Sequence, residues 1–247
     1  MTILHEERLS DSPYIETITH GHTLSEGSTI RPAEVHWHMV LLRLNGQPRL
    51  IVTGPLTTSG IASWGEGAEL LWIKLKLGTF MPHLPTTTLL DKETTLPDAS
   101  SQSFWLKGSA WQFPNFENVD TFFNRLIHDE VLVHDPLVNA ALNDQVEAET
   151  MASRTVRHRF LRATGLTQSH IRQMKRAQQA EALLQQGVSI LDTVYETGYF
   201  DQPHLTRSLK QFIGHTPAEI LRMNQACHSV QDNLLASDYP VNVLATG

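Results

Sequence analysis

In the stretch VYETGYFDQPHLTRSLKQFIGHTPAEI, Val194 to Ile220, four polar residues stand among fixed apolar positions: Gln202, His204, Thr206 and Arg207. Leu205, Leu209 and Phe212 recur at steps of four and three, which puts them on one face of a helix and leaves the polar set pointing elsewhere. Gln pairs in bidentate fashion with the edge of adenine, and Arg with that of guanine. An early Gln202 and an Arg207 about one and a half turns later are therefore candidate readers of base pairs. Lys210 is placed for a phosphate. The same spacing also fits a small helical bundle whose polar surface touches nothing.

The elements that would hold these residues are signalled locally. Ser189 can cap a helix with Ile190, Val194 and Tyr195 inside, and Gly198 stops it. Asp201 can cap the next helix, with Pro203 tolerated in its first turn, and Gly214 ends it. Thr216-Pro217 then opens a last short helix over Ala218–Met223. Two short helices joined by a glycine-containing turn make a helix-turn-helix, whose second helix enters the major groove.

A more basic copy lies upstream. In SRTVRHRFLRATG, Val156, Phe160 and Ala163 share a face, while Arg154, Arg157 and His158 face away and Gly165 stops the helix. DPLVNAALND supplies its partner through Leu137, Val138, Ala141 and Leu142, in a helix over Leu137–Asp144. Between the copies, Ile171, Met174, Ala177, Ala180 and Leu184 form a continuous stripe closed by Gly187. Some 20 helical residues span about 30 Å. Successive major-groove faces on one side of B-DNA are about 34 Å apart. A stiff helix of that length would hold two reading heads in adjacent grooves.

RFLRATGLT, and the run from RAQQAEALLQQG through GYFDQPHLTRSLKQFIGHTPAEI, resemble the DNA-binding domain of AraC/XylS-type bacterial transcription regulators over about residues 135–223. The specific end of the motif is Gly198, Tyr199, Asp201, Lys210, Gly214, Thr216 and Pro217. The resemblance implies two helix-turn-helix units joined by a long helix. Ser153, Arg154, Arg157 and His158 fall on the first reading helix, and Gln202, Pro203, His204 and Arg207 on the second. It further implies a double-stranded operator, RNA polymerase as a partner, a cytoplasmic site, and an N-terminal barrel of cupin type that binds a small effector or forms a homodimer. Val194 stands where the family has Ala, and Pro203 replaces a polar reader.

The first half reads as strands. AEVHWHMVLLRL and QPRLIVTG flank Asn45-Gly46, a hairpin-turn pair, and AELLWIKLKLG is a third strong strand. Short strands with turn signals predict a β-sandwich or small barrel, and Met81 to Gly108 resists assignment. From Asn115 the pattern turns helical, with Val119, Phe122, Phe123, Leu126 and Ile127 on one face. That face would pack on its own domain or form a dimer seam. The expected fold is thus α+β with two domains: a cupin-like β-barrel over 1–114, a helical linker over 115–134, an all-α domain over 135–226 and a tail over 227–247.

Candidate effector contacts in the first half are His36 and His38, on one strand face, with Trp64 and Trp72 as pocket walls. His20 and His22 repeat the spacing. Two such histidines can share a metal, which opens a second reading as a metal sensor or metal-dependent cupin-type enzyme. No carboxylate follows His38 where a cupin metal site would have one, so the expectation is no metal, no cofactor and no catalysis. A methyl-accepting repair regulator would need a poised thiol, and the single cysteine, Cys227, lies in a polar tail. One thiol also excludes an internal disulfide and a cysteine-based zinc cluster.

Net charge is −7, unevenly spread. Residues 1–150 carry 9 Lys/Arg against 19 Asp/Glu, and residues 151–247 carry 10 against 7. Seven basic residues and no acid fall within 151–180, a footprint suited to phosphate. No apolar run approaches bilayer length, so no membrane partner is expected. Charges in MTILHEERLSDSP predict no secretion signal there.

Overall fold

The computed structural model describes residues 3–143 and 153–224. Cys227, the tail over 227–247 and Asp144, the end of the helix expected over Leu137–Asp144, lie outside these residues. The strands are β1 (Ile3–Leu9), β2 (Ile15–Thr23), β3 (Gly27–Arg31), β4 (His38–Leu44), β5 (Gln47–Thr53), β6 (Gly60–Trp64), β7 (Glu69–Leu75), β8 (Thr79–Phe80), β9 (Glu93–Thr95), β10 (Asp98–Ser100), β11 (Ser103–Leu106) and β12 (Ser109–Gln112). Then come α1 (Val119–His128), β13 (Val133–His134), α2 (Leu137–Leu142), α3 (Ser153–Thr164), α4 (Gln168–Gln185), α5 (Ile190–Glu196) and α6 (Gln202–Phe212). A final helix covers residues 217–224.

The main sheet is antiparallel, ordered β1-β2-β7-β4-β5-β9. Its central hairpin turns at Asn45 and Gly46, both at positive φ, with Leu44 paired to Gln47. This is the primed turn that Asn-Gly favours, because its twist matches that of the strands. Strand alternation sends two different sets of side chains to the two faces. Ile18, Ile73, Met39 and Val52 line up across four strands and are fully buried. On the opposite face the register aligns Thr17, Lys74, His38 and Thr53, and one row further Thr19, Trp72, Val40 and Ile51.

The expected barrel does not close. The sheet is open, with β1 and β9 at its two edges. β3 and β6 pair with each other and form a separate two-stranded ribbon. The Arg31 guanidinium at the end of β3 stacks over the Trp72 ring, 5.2 Å from its centroid. Arg31 thus spans from the ribbon to the polar face of the main sheet. The segment that resisted assignment forms a 3-10 turn over Thr86–Thr88, β9 and the small sheet β10-β11-β12.

The apolar face of α1 packs within its own unit, where Phe122 sets its ring against Phe104 and Trp111. Asp120 in its first turn binds Arg8 at 2.8 Å and accepts from Ser10 at 2.5 Å, tying the helix to β1. β13 pairs with β8 and leads into α2.

The chain divides into two compact units, one ending at Lys175 and the other beginning at Arg176, with the division inside α4. The first unit therefore contains α2 and α3 as well as the sheets. Val138 and Ala141 of α2 and Phe160 and Ala163 of α3 are buried. Arg159 makes a two-pronged ion pair with Asp135, at 2.6 and 2.9 Å, before the start of α2. The far end of α3 rests on the sheet-rich part: Thr86 donates its hydroxyl to the Arg162 carbonyl, and Arg162 lies over Phe80 at 5.9 Å.

Candidate functional site

In the second unit, α5 and α6 form around two side-chain caps. Ser189 accepts from the Asp192 N–H at 3.2 Å, and Asp201 accepts from the His204 N–H at 2.7 Å. Each cap satisfies an amide that the helix leaves unpaired, worth about 1 kcal/mol. Gly198 turns the chain between them at φ +67°, where a Cβ would be strained. Leu205, Leu209 and Phe212 are buried as their spacing requires. After α6, Thr216 and Glu219 exchange backbone-to-side-chain hydrogen bonds at 2.7 and 3.3 Å, a capping box that starts the last helix.

The buried face of α5 differs from the expected one. Thr193 and Thr197 are buried, Ile190 and Val194 are half-buried, and Tyr195 is exposed. Threonine at 193 fills a core position that periodicity assigns to an apolar residue.

Gln202, Pro203, Arg207 and Lys210 are exposed. Lys210 lies 3.7 Å from Glu219. Thr206 is half-buried and donates its hydroxyl to the Gln202 carbonyl at 2.9 Å. His204 is also half-buried, its ring edge-on to Tyr199 at 5.1 Å. Tyr199 is itself fixed: its hydroxyl pairs with Ser208 Oγ at 2.7 Å, and the Arg176 guanidinium sits 4.4 Å from its ring centroid. Sequence spacing missed this stack, since it joins a residue of α4 to the turn after α5.

In the first unit, Ser153, Arg154, Arg157 and His158 are all exposed on α3. The contacts of α3 with Asp135, Thr86 and Phe80 use Arg159 and Arg162, which lie on other positions of the helix. The candidate reading set therefore remains open to solvent.

The other candidates lie on and near the polar face of the main sheet. His36 is held between carboxylates, Nδ1 at 2.5 Å from Glu34 and Nε2 at 3.2 Å from Glu16. Lys74 stands 3.5 and 3.6 Å from the same two. Burial pushes the Glu34 carboxyl up, but the bond from His36 and the charges of His36 and Lys74 outweigh it and hold it at about 2. His38, 4 % exposed, accepts the Trp72 indole N–H at 2.6 Å through Nδ1. Burial drives its pKa down to about 3, with Arg31, His36 and Lys74 adding to the depression, so the ring is neutral.

The two histidines therefore have separate partners. Among the described residues no group of three or more His, Cys, Asp or Glu is arranged to hold a metal ion. The pair His20 and His22 belongs to β2, where His20 aligns with Leu71 on the other face of the sheet and packs on Phe116. Trp64 and Trp72 are half-buried. The Trp64 ring lies against Gly27, where a Cβ would come within 2.8 Å of it.

Residues 146–223 match the model of a helix-turn-helix domain family. The segment is an AraC-type helix-turn-helix domain. The match supports a DNA-binding role in transcription regulation for this segment. No curated protein and no solved structure matches the chain significantly. No helix among the described residues is long and apolar enough to cross a membrane.

Proposed function

We propose that the protein binds a specific double-stranded operator through two helix-turn-helix units, α2–α3 and α5–α6, within residues 135–226. α6 reads with Gln202 and Arg207, helped by His204, and Lys210 and Thr206 stand beside the phosphates. α3 reads with Ser153, Arg154, Arg157 and His158. The observation that carries this is the N-terminal turn of α6, capped by Asp201, with Gln202, Pro203 and Arg207 exposed inside a segment of matching family. Pro203 contributes shape and apolar contact, since its side chain has no donor. Family resemblance adds RNA polymerase as a partner, and the cytoplasm as the setting.

The sheet-rich part is proposed as a cupin-like regulatory region that senses a small effector or mediates dimerisation. The polar sheet face, with His38 and Trp72 on it and His36 near it, supports the effector reading, and Trp64 remains a candidate on the neighbouring ribbon.

Selection of bound duplexes from a random pool with the full chain tests the function. A bipartite motif with about one helical turn between halves is expected. Arg207→Ala should cost about 1–3 kcal/mol and relax base choice at one position. Unchanged affinity and base choice would remove α6 from the interface.

A further inference from the structure

The polar face of the main sheet carries a set of buried groups of one kind. Arg31 NH2, reaching this face from β3, His38 Nε2 and Thr53 Oγ1 are each buried and without a hydrogen-bond partner. Because His38 Nδ1 accepts from Trp72, the neutral ring must carry its proton on Nε2, which makes that atom a donor. Two of the three groups can only donate, and Thr53 can do so. Unpaired buried donors cost about 1–3 kcal/mol each, more when charged. Folds seldom leave several of them side by side.

They are also grouped. Arg31 and His38 both touch Trp72, at 5.2 and 5.3 Å between ring or guanidinium centres. Thr53 is the direct cross-strand partner of His38. Along the same face the chemistry changes within one register step. Lys74, His38 and Thr53 give way to Trp72, Val40 and Ile51, then to Leu70 and Leu42. Trp72, Ile51, Leu70 and Leu42 are only half-buried, so the apolar end is open to solvent and the donor end closed. The ribbon β3–β6 reaches this face through Arg31, at the end of β3, whose guanidinium stacks on Trp72.

We propose that this face binds a small organic acid. Its carboxylate is received by Arg31 and His38 with Thr53, and its apolar body lies along Trp72, Val40 and Ile51. The nearby carboxylates do not fill this role. Glu34 is engaged by His36 and Lys74, and burial of Arg31 outweighs the attraction of Glu34 and Glu93, leaving its charge under-compensated. The proposal deepens the effector reading above and rests on it.

The test is calorimetric titration of the full chain with benzoate and hexanoate, each against its uncharged amide, benzamide or hexanamide. At least one acid should saturate, with its amide about ten-fold weaker, the worth of a charge-assisted pair. Arg31→Gln and, separately, His38→Gln should bring the acid down to the level of the amide, and Trp72→Ala should weaken both. If acid and amide bind equally, and only Trp72→Ala matters, the carboxylate assignment falls while the effector site stands. If none of the four saturates or raises the melting temperature, both fall.

Discussion

Trp72 donates its indole N–H to His38 Nδ1, and the remaining imidazole proton on Nε2 is buried with no acceptor. A His whose folded pKa of about 3 lies below the unfolded value binds fewer protons in the fold than in the unfolded chain. Stability is then fully present above about pH 6.5 and falls as pH drops toward 3, by about 1.4 kcal/mol per pH unit for one proton. His83 and His134 are also depressed by burial, so the slope is shared, and the comparison must be with His38→Gln. Urea unfolding between pH 5 and 6.5 should show a shallower loss in that variant, and an identical slope would mean that His38 is protonated in the fold. Arg31→Met in the ligand-free chain should raise stability by about 1–3 kcal/mol, because it replaces an unmatched buried donor by apolar volume. At this scale the sequence marked His36 and His38 as a pair by spacing alone. Their actual partners, Glu34 and Glu16 for one and Trp72 for the other, come from neighbouring strands and segments that spacing does not reveal.

Elements with their signals within a few residues were legible. The Asn45-Gly46 hairpin, the caps at Ser189 and Asp201, and the glycine stop at Gly198 stand where local chemistry puts them. Strands of two or three residues were not legible, since β8, β9 and β13 exist only through partners far along the chain. The closed barrel failed for a related reason: which strands pair at the edges is decided by tertiary contact, and β3–β6 pairs with itself. Likewise nothing local announced that Thr86 and Phe80 would brace α3. The Asp201 cap gives the element scale its test. Asp201→Ala should cost about 1 kcal/mol in thermal unfolding. It should also weaken operator binding, because the freed first turn is the one that presents Gln202. Asp201→Ser, which can still accept from the His204 amide, should restore most of both. Loss of binding that Ser does not rescue would point instead to a direct contact of the Asp201 carboxylate with DNA.

For the whole molecule, a chain of net charge −7 that binds DNA as proposed must approach a polyanion, and the basic run in 151–180, with Arg154 and Arg157 exposed, is the surface proposed to meet it. Each phosphate neutralised lowers log K by about 0.9 per decade of salt. Binding measured from 50 to 200 mM salt should therefore weaken steeply, and a flat response would place this surface away from the backbone. The basic run ends within α4, which in the proposed function joins the two reading units. α4 has 18 residues, a length of about 27 Å. That approaches the separation of about 34 Å between successive major-groove faces. If the rigidity of α4 sets the spacing of the half-sites, a kink in its middle should uncouple them. Gln178 is exposed within α4, so replacing it removes nothing from the core. Gln178→Pro breaks one backbone hydrogen bond and clashes with the preceding turn, at about 3 kcal/mol or more. Footprinting of this variant should show protection of one half-site at reduced affinity, with the other lost, while Gln178→Ala protects both. Equal protection of both halves by Gln178→Pro would show that the two units find their grooves independently of the helix between them.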